Sequence, residues 1–424
     1  MKYFSAIILT ICFISNMAKS EDNILLDDWK FSGYAQIVPY LDGRDFSNKT
    51  YPLTHTEMKL RFGVSKQVED IFEFNFQVQD SRIWGQESGL TSNSKNIDLI
   101  IGYLQFNELL NLPLSVQFGR FQLNYANSRI LGNSPWNYYE RAYDGIRCFI
   151  VTDPIDIDVF YANTGNEIVQ SVKALPDSYD YPSTEYIDRS IMGFWASIKK
   201  IKEQNIHAFL FRELDPKKTD SSNFNLNRFT GGVNWFGKIG NFSPNVEFAY
   251  QFGGAADIDI SAYLLSVSTD YKIGNWKLTS GTDWLSGTAQ DADKEFGTYQ
   301  LDLGAKHKFF GLMDYFQSPS PGTGERGVND YYLGASLSPK DSKWNYYLFG
   351  HLFTANQEYP DGNNIFGEEI DLRIRYYPVK GVFIEFTNAV FLPGDIMKSF
   401  YSTVNGDDRS DPGFMSYLRI VANI

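Results

Sequence analysis

Beyond its first twenty residues this chain contains no run approaching the roughly eighteen uninterrupted apolar residues of a membrane helix, yet from Trp29 onward it alternates oily and polar side chains almost throughout. Met58, Leu60, Phe62 and Val64 alternate with Lys59, Arg61, Gly63 and Ser65. Phe72, Phe74, Phe76 and Val78 alternate with Glu73, Asn75, Gln77 and Gln79. A period of two puts successive side chains on opposite faces of a strand, so each run has one apolar and one wet face. The apolar faces need a second layer or lipid. In lipid every backbone amide must find a partner inside the sheet, so strands that enter a bilayer must close into a barrel.

Similar runs recur at 29–40, 96–107, 114–124, 144–152, 155–164, 190–200, 205–213, 224–236, 242–252, 257–273, 276–286, 328–338, 344–354, 368–377, 382–391 and 414–424. With the two above they make about eighteen strands, mostly near the roughly 9–11 residues that a tilted strand needs to cross a bilayer. The connections alternate in length. Short ones fall at 67–70, 108–112, 153–154, 201–204, 237–241, 274–275, 339–343 and 378–381. Long ones fall at 41–52, 85–95, 125–143, 165–189, 214–223, 287–327, 355–367 and 392–413, and the link at 253–256 is short where a long one is due. A β-sandwich has no reason to sort its connections by end, whereas outer-membrane barrels pair short periplasmic turns with long extracellular loops. The expected fold is therefore all-β: a transmembrane antiparallel β-barrel of about eighteen strands, with both chain ends on the periplasmic side.

Residues 1–20 read as a signal peptide, with Lys2, an apolar run from Ala6 to Ile14, and Ala18, Lys19 and Ser20 as a small-x-small cleavage site. Residues 21–424 then form a single barrel domain, expected to be monomeric, with Cys148 as its one cysteine and no intrachain disulfide. The net charge of −13 argues against a nucleic-acid partner. Charge summed over a whole chain is not the field inside a pore, so it leaves anionic solutes open.

The stretch 119–147 is too charged and too aromatic to be slack: Arg120, Arg129, Arg141 and Arg147 stand among Tyr125, Trp136, Tyr138, Tyr139 and Tyr143. Its string of Gly119-Arg120, Arg129-Ile130-Leu131-Gly132-Asn133, Trp136 and Tyr143-Asp144-Gly145-Ile146-Arg147 resembles the alginate-export family of outer-membrane barrels, departing where this chain has Ala126-Asn127 and the family carries a Gly. A second block, His307 with Gly311, Asp314 and Phe316, is similar to a further motif of that family. The resemblance implies a channel in the outer membrane of a Gram-negative bacterium, with an Arg-rich constriction that passes alginate or a related acidic polysaccharide. It also implies periplasmic export components as partners, besides outer-membrane lipid. A general or small-anion nutrient porin and a barrel-anchored glycan-binding surface protein are the alternatives.

If the richer apolar face meets lipid, Lys59, Arg61, Arg147, Arg228, Arg373, Arg375 and Arg419 point into the lumen, against Glu73, Asp156, Asp158, Glu247, Glu369, Asp371 and Glu385. Closure would gather Lys59, Arg61, Arg373, Arg375 and Arg419 on one wall, favouring anions, unless cross-strand acids neutralise them. Arg120 is a lumen candidate only if Gly119 marks a bulge or the strand has already left the membrane. Arg129, Arg141 and Asp144 are candidates for an ion-paired frame holding the third long loop, or for contact with a substrate carboxylate. His307, Gly311, Asp314 and Phe316 sit in the longest connection, expected to fold inward as a gating loop. Catalytic residues are not expected, because His55, His207, His307 and His351 are far apart and no HExxH or Gly-x-Ser-x-Gly pattern occurs. No cofactor or metal is expected either; the acidic stretches 361–369 and 407–411 lack EF-hand spacing and read as solvated loop charge.

Overall fold

Alternation becomes a closed sheet in the computed structural model, in which eighteen antiparallel strands follow one another around a barrel. It describes residues 28–87, 96–169, 185–199, 201–216, 218–219, 222–223, 225–405 and 408–424; the signal segment 1–20 and residue 407 lie outside the described residues. The strands are β1 (Trp29–Gly43), β2 (Leu53–Val68), β3 (Phe72–Ile83), β4 (Ile97–Phe106), β5 (Leu114–Phe121) and β6 (Tyr143–Val151). They continue as β7 (Ile155–Val169), β8 (Glu185–Ile198), β9 (Gln204–Asp215), β10 (Leu226–Gly237), β11 (Phe242–Ala255) and β12 (Ile258–Ile273). The last six are β13 (Trp276–Leu285), β14 (Val328–Leu337), β15 (Trp344–Thr354), β16 (Ile365–Tyr376), β17 (Val382–Pro393) and β18 (Gly413–Asn423). The expected order of long and short connections holds, including the two-residue exception between β11 and β12. Glu295–Phe296 adds a short parallel pairing to β12.

Closure is made by β1, which pairs with β2 on one side and β18 on the other. Gly33 and Ile424 exchange two backbone hydrogen bonds of 2.8 Å, tying the chain end into the seam. The closed sheet has no edge on which to aggregate and leaves no strand amide without a neighbour in lipid.

The residue distribution is that of a water-soluble protein turned inside out. Phe62, Phe118, Ile146, Phe194, Leu333 and Ile370 stand on the outer face and are exposed, while Lys59, Gln79, Gln117, Glu247, Asp283 and Glu385 are buried on the inner one. Only an apolar surrounding makes the outer set stable. Aromatic rings gather at the strand ends on the short-turn side: Trp344 lies 4.6 Å from Tyr376, and the rings of Trp29 and Phe74 meet at 6.2 Å. Trp and Tyr settle there because one end of each ring is oily and the other wet.

The lumen is filled by its own loops. The connection 122–142 buries Leu123, Ile130 and Leu131, and the connection 286–327 buries Tyr299, Leu301, Phe310, Met313 and Phe316, all in one cluster with the inward wall residues Phe353 and Phe391. The longest loop thus folds into the barrel and does not rest on its rim.

One placement corrects the sequence reading. Arg120 pairs in register with Asp144, two positions from the lipid-facing pair of Phe118 and Ile146, with no register shift between them. Both residues therefore belong to the outer face. Gly119 does take a φ of +122°, but its two-sided pairing with Tyr103 and Gly145 is regular, so parity is kept. Arg120 Nη1 donates to Asp144 Oδ2 at 2.7 Å, which satisfies both charges outside the lumen and removes Asp144 from the loop frame.

Leu333, in the middle of β14 and 68% exposed, tests the lipid-facing assignment. Leu333→Arg should cost about 2–4 kcal/mol in urea-titrated folding into lipid vesicles. A solvent-facing site would change by no more than about 0.5 kcal/mol.

Candidate pore constriction and solute site

The long loop 286–327 is fastened to the wall at Gly311. This residue has a φ of +77°, and a Cβ there would meet Glu369 Oε1 at 2.5 Å, so only glycine permits so close an approach. The next two amides, of Leu312 and Met313, donate to Glu369 Oε1 at 2.6 and 2.9 Å. Three residues on, Phe316 is fully buried and packs on Phe353 at 4.7 Å and Phe366 at 5.2 Å. Asp314 accepts from His307 Nδ1 at 2.8 Å, and the imidazole stacks on Trp136 at 3.7 Å with the rings nearly parallel. His307, Gly311, Asp314 and Phe316 thus act as one folded unit inside the barrel.

The loop 122–142 is held by charge. Arg129 is 3% exposed; its Nε donates to Glu247 at 2.9 Å and its Nη1 to Asp283 at 2.7 Å, on the far wall. Burial alone would pull this guanidinium down, but Asp283 and Glu247 together raise it above its ordinary range. Arg141 donates to the carbonyls of Leu303 and Asp302 at 2.7 Å each, clasping the other loop. Glu140 meets Arg61 at 2.6 Å and Lys59 at 3.3 Å, while Lys59 Nζ also donates to the Pro135 and Asn137 carbonyls. Burial raises the Glu140 carboxyl, yet Lys59 and Arg61 outweigh it and hold it below the usual carboxylate range.

Between these loops and the wall lie three adjoining cavities. An outer vestibule of about 420 Å³ is lined by Tyr40, Arg44, Trp136, Tyr139 and Asp314. A chamber of about 290 Å³ shares Trp136 with it and is lined by His307, Lys308, Leu312, Arg373, Glu385 and Arg419. A third space of about 430 Å³ shares Lys308, Leu312 and Arg373 with the chamber and reaches Lys277 and Tyr347. The chamber is the smallest of the three.

Charges around this path are sorted. Lys59, Arg61, Arg419, Arg375 and Arg373 stand on β2, β18 and β16, neighbouring strands across the seam with β1 and β17. Lys59 and Arg61 are engaged by Glu140, and Arg375 is bound by Glu385. Arg419 donates to Gln36 at 2.9 and 3.0 Å, and Glu385 stands 3.6 Å from Arg373 Nε. Cross-strand neutralisation is thus real but incomplete, and the two arginines that line the chamber are the least compensated. In the sector running from β11 to β16, Glu247, Asp283, Asp330, Glu369 and Asp371 face inward, the last two on the same strand as Arg373 and Arg375; Arg129 relieves Glu247 and Asp283, and His351 meets Asp330 at 2.9 Å.

Two other nominated arginines lie away from the chamber. Arg147 pairs with Asp158 at 2.7 Å, and that carboxylate also accepts from Tyr125. Arg228 binds Glu213 twice at 2.9 Å and reaches Asp302 of the long loop at 2.9 Å. Sequence reasoning missed Glu140, Lys308, Asp283 and Asp330. The last two carried a usable signal, since each acid falls within a run that alternates, at 276–286 and 328–338.

Two expectations follow for the loops. Gly311→Ala should free the long loop from Glu369, read as larger and noisier single-channel currents, and Phe316→Ala should do the same while costing about 3–5 kcal/mol in vesicle unfolding. The depressed Glu140 carboxyl adds stability that is fully present above the ordinary carboxylate pKa of about 4.3 and is lost as pH falls through its lower folded value. Protease access to the loop 122–142 should therefore rise in acid below about pH 4 in the native protein, and Glu140→Gln should show that access already at neutral pH.

No curated protein is matched in sequence. Solved structures with the same fold include OccAB4 of Acinetobacter baumannii, at a TM-score of 0.62 and 9% identity, covering 94% of this chain and 98% of that one. OpdK of Pseudomonas aeruginosa, solved with vanillate, gives 0.58 and 9% identity over 94% and 99%. A BenF-like porin from Pseudomonas fluorescens Pf-5 gives 0.59 and 9% identity over 94% and 99%. At such identities the likeness is one of fold. The sequence profile described as alginate export matches residues 42–319, more than half of the length and including the loop 122–142 and most of the loop 286–327, and the chain belongs to that family.

Proposed function

We propose that this protein is an outer-membrane channel for the passive passage of anionic solutes. The observation that carries the reading is the charge around the smallest of the three adjoining cavities. Arg373 and Arg419 line a chamber of about 290 Å³, with three further cations on the same wall. Cations on one wall of a narrow pore lower the barrier to an anion and raise it for a cation. Field lines are concentrated there, because the protein walls polarise less than water.

The family's namesakes pass alginate outward, and OpdK was solved with vanillate, a small aromatic acid. The tight chamber and the two inward-folded loops favour a small or ring-sized acid over an extended polymer in this conformation. That makes a nutrient porin the second reading, with acidic polysaccharide export requiring the loops to part. Residues 1–20 would direct the chain across the inner membrane, and periplasmic export components would be partners under the polysaccharide reading only. A catalytic role has little to stand on: Ser197 Oγ lies 2.8 Å from His207 Nδ1, but the Trp195 indole also points at that nitrogen at 3.3 Å.

Reversal potentials in a planar bilayer under a salt gradient test the proposal. The wild-type pore should favour chloride over potassium, and Arg373→Gln with Arg419→Gln should bring the ratio toward unity. A cation-selective wild type, or a ratio unmoved by the double substitution, would overturn the assignment.

A further inference from the structure

Trp136 lines both the outer vestibule and the chamber, and no other described residue lines both. The chain changes sides at this point: Ser134 and Pro135 line the chamber, whereas Asn137 and Tyr138 line the vestibule. The long loop is divided in the same way. His307 lines the chamber, Asp314 lines the vestibule, and His307 Nδ1 lies 2.8 Å from Asp314 Oδ1. Two loops thus build one partition, and the indole of Trp136 is the side chain that stands in it.

The backbone of this partition is pinned, while the indole is held only through its faces and edges. Lys59 Nζ donates to the carbonyls of Pro135 and Asn137 at 2.9 and 2.8 Å, which fixes the chain on both sides of Trp136. Asn137 N–H also donates to the Ser134 carbonyl at 3.0 Å, closing a turn around the residue. The ring itself is half-buried. The His307 imidazole stacks on it, with 3.7 Å between ring centres and 4° between planes. The Arg419 guanidinium stands over it at 5.2 Å, where a cation is drawn to the electron-rich face. Tyr417 lies tilted at 5.1 Å and Tyr40 meets the ring edge-on at 6.4 Å. Rotation about the side-chain bonds of Trp136 would break the two face contacts and leave the backbone where it is.

Resting on the reading of the protein as an anion channel, we infer that Trp136 is a door between vestibule and chamber, which sorts anions by size as Arg373 and Arg419 sort them by charge. With the ring stacked, a small ion passes beside it. A larger anion crosses only while the ring is swung away from His307 and Arg419, so its permeability follows the fraction of time that the door stands open. Arg419 takes part in both kinds of sorting, because it lines the chamber and stands over the ring.

The test compares the permeability of glutamate with that of chloride, from bi-ionic reversal potentials of the full-length protein in planar bilayers. Trp136→Ala removes the door, and the glutamate-to-chloride ratio should rise about tenfold, the combined worth of a ring stack and a cation–π contact. Arg419→Lys keeps the charge but loses the flat guanidinium, and should raise the ratio about two- to fivefold. Chloride should still be preferred to potassium in both, since cations remain at the chamber. Heat-shifted gel mobility reports that each barrel has formed, and protease access to the loop 122–142 reports whether Lys59 still holds the partition. A ratio that Trp136→Ala leaves unmoved would overturn the door. So would a rise accompanied by new cleavage in that loop, because the whole loop would then have come free. A ratio unmoved in Arg419→Lys would overturn the part given to Arg419. A wild type that prefers potassium would overturn the channel reading itself, whereas an anion-selective pore whose ratio ignores Trp136 would sink the door alone.

Discussion

Everything in this molecule follows from the requirement that a peptide group in hydrocarbon find its hydrogen-bond partner within the protein. A sheet meets it only by closing, and the seam between β1 and β18 is where it closes. Closure puts every outward side chain against acyl chains and every inward one around a common space. Polar residues at alternate positions therefore have nowhere to go but the lumen. The order is the reverse of a soluble core, and it explains why Lys59, Glu247 and Glu385 are buried while Leu333 and Ile370 are exposed.

A polar-walled lumen of this width must be filled or left wet, and here two loops fill much of it. Their attachment differs from ordinary core packing because the wall offers mostly charges. The loop 122–142 is fixed by Arg129 to two carboxylates of the far wall, and by Lys59 and Arg61 to the near one. The loop 286–327 presents its own amides to Glu369 and then buries Phe316 among wall phenylalanines. Removing one partner from such a buried pair costs about 3–5 kcal/mol, mostly from the charge left behind. The same charges therefore keep the constriction in place and set its field.

Period two was enough to read strand number, strand order and the sorting of loops, since each depends only on local alternation and spacing. Arg373, Arg375 and Arg419 share strand parity with the buried Glu369, Asp371, Tyr417 and Val421. Arg120 went astray because one parity step decides between lipid and lumen, and a glycine beside it suggested a bulge that the pairing with Gly102 and Asp144 does not contain. The loop contacts were not legible. Arg129 meets Glu247 and Asp283 across 118 and 154 residues of chain, and no periodicity within a loop announces a partner so distant. The nomination of Asp144 as part of the loop frame failed for the same reason: proximity in sequence to Arg141 stood in for proximity in space.

The two walls explain why so acidic a chain can present a path suited to anions. Its inward acids are not spread evenly. Five of them cluster on β11, β13, β14 and β16, where Arg129, His351 and the amides of the long loop occupy them. Arg129 and the amides of Leu312 and Met313 engage Glu247, Asp283, Glu369 and Asp371, although Asp283, Asp330 and Asp371 still line the third cavity. The cations of the sector from β16 across the seam to β2 are only partly committed, and Arg373 and Arg419 remain at the chamber. What a passing solute meets is therefore the difference between charges used for structure and charges left over. That difference is positive at the chamber although the chain as a whole carries −13. A field built this way tolerates wide drift in surface loops, because their charges lie in water and are screened within about 8 Å at physiological salt. It would not tolerate release of the loops, since that would free four carboxylates, Glu247, Asp283, Glu369 and Asp371, in the lumen at once.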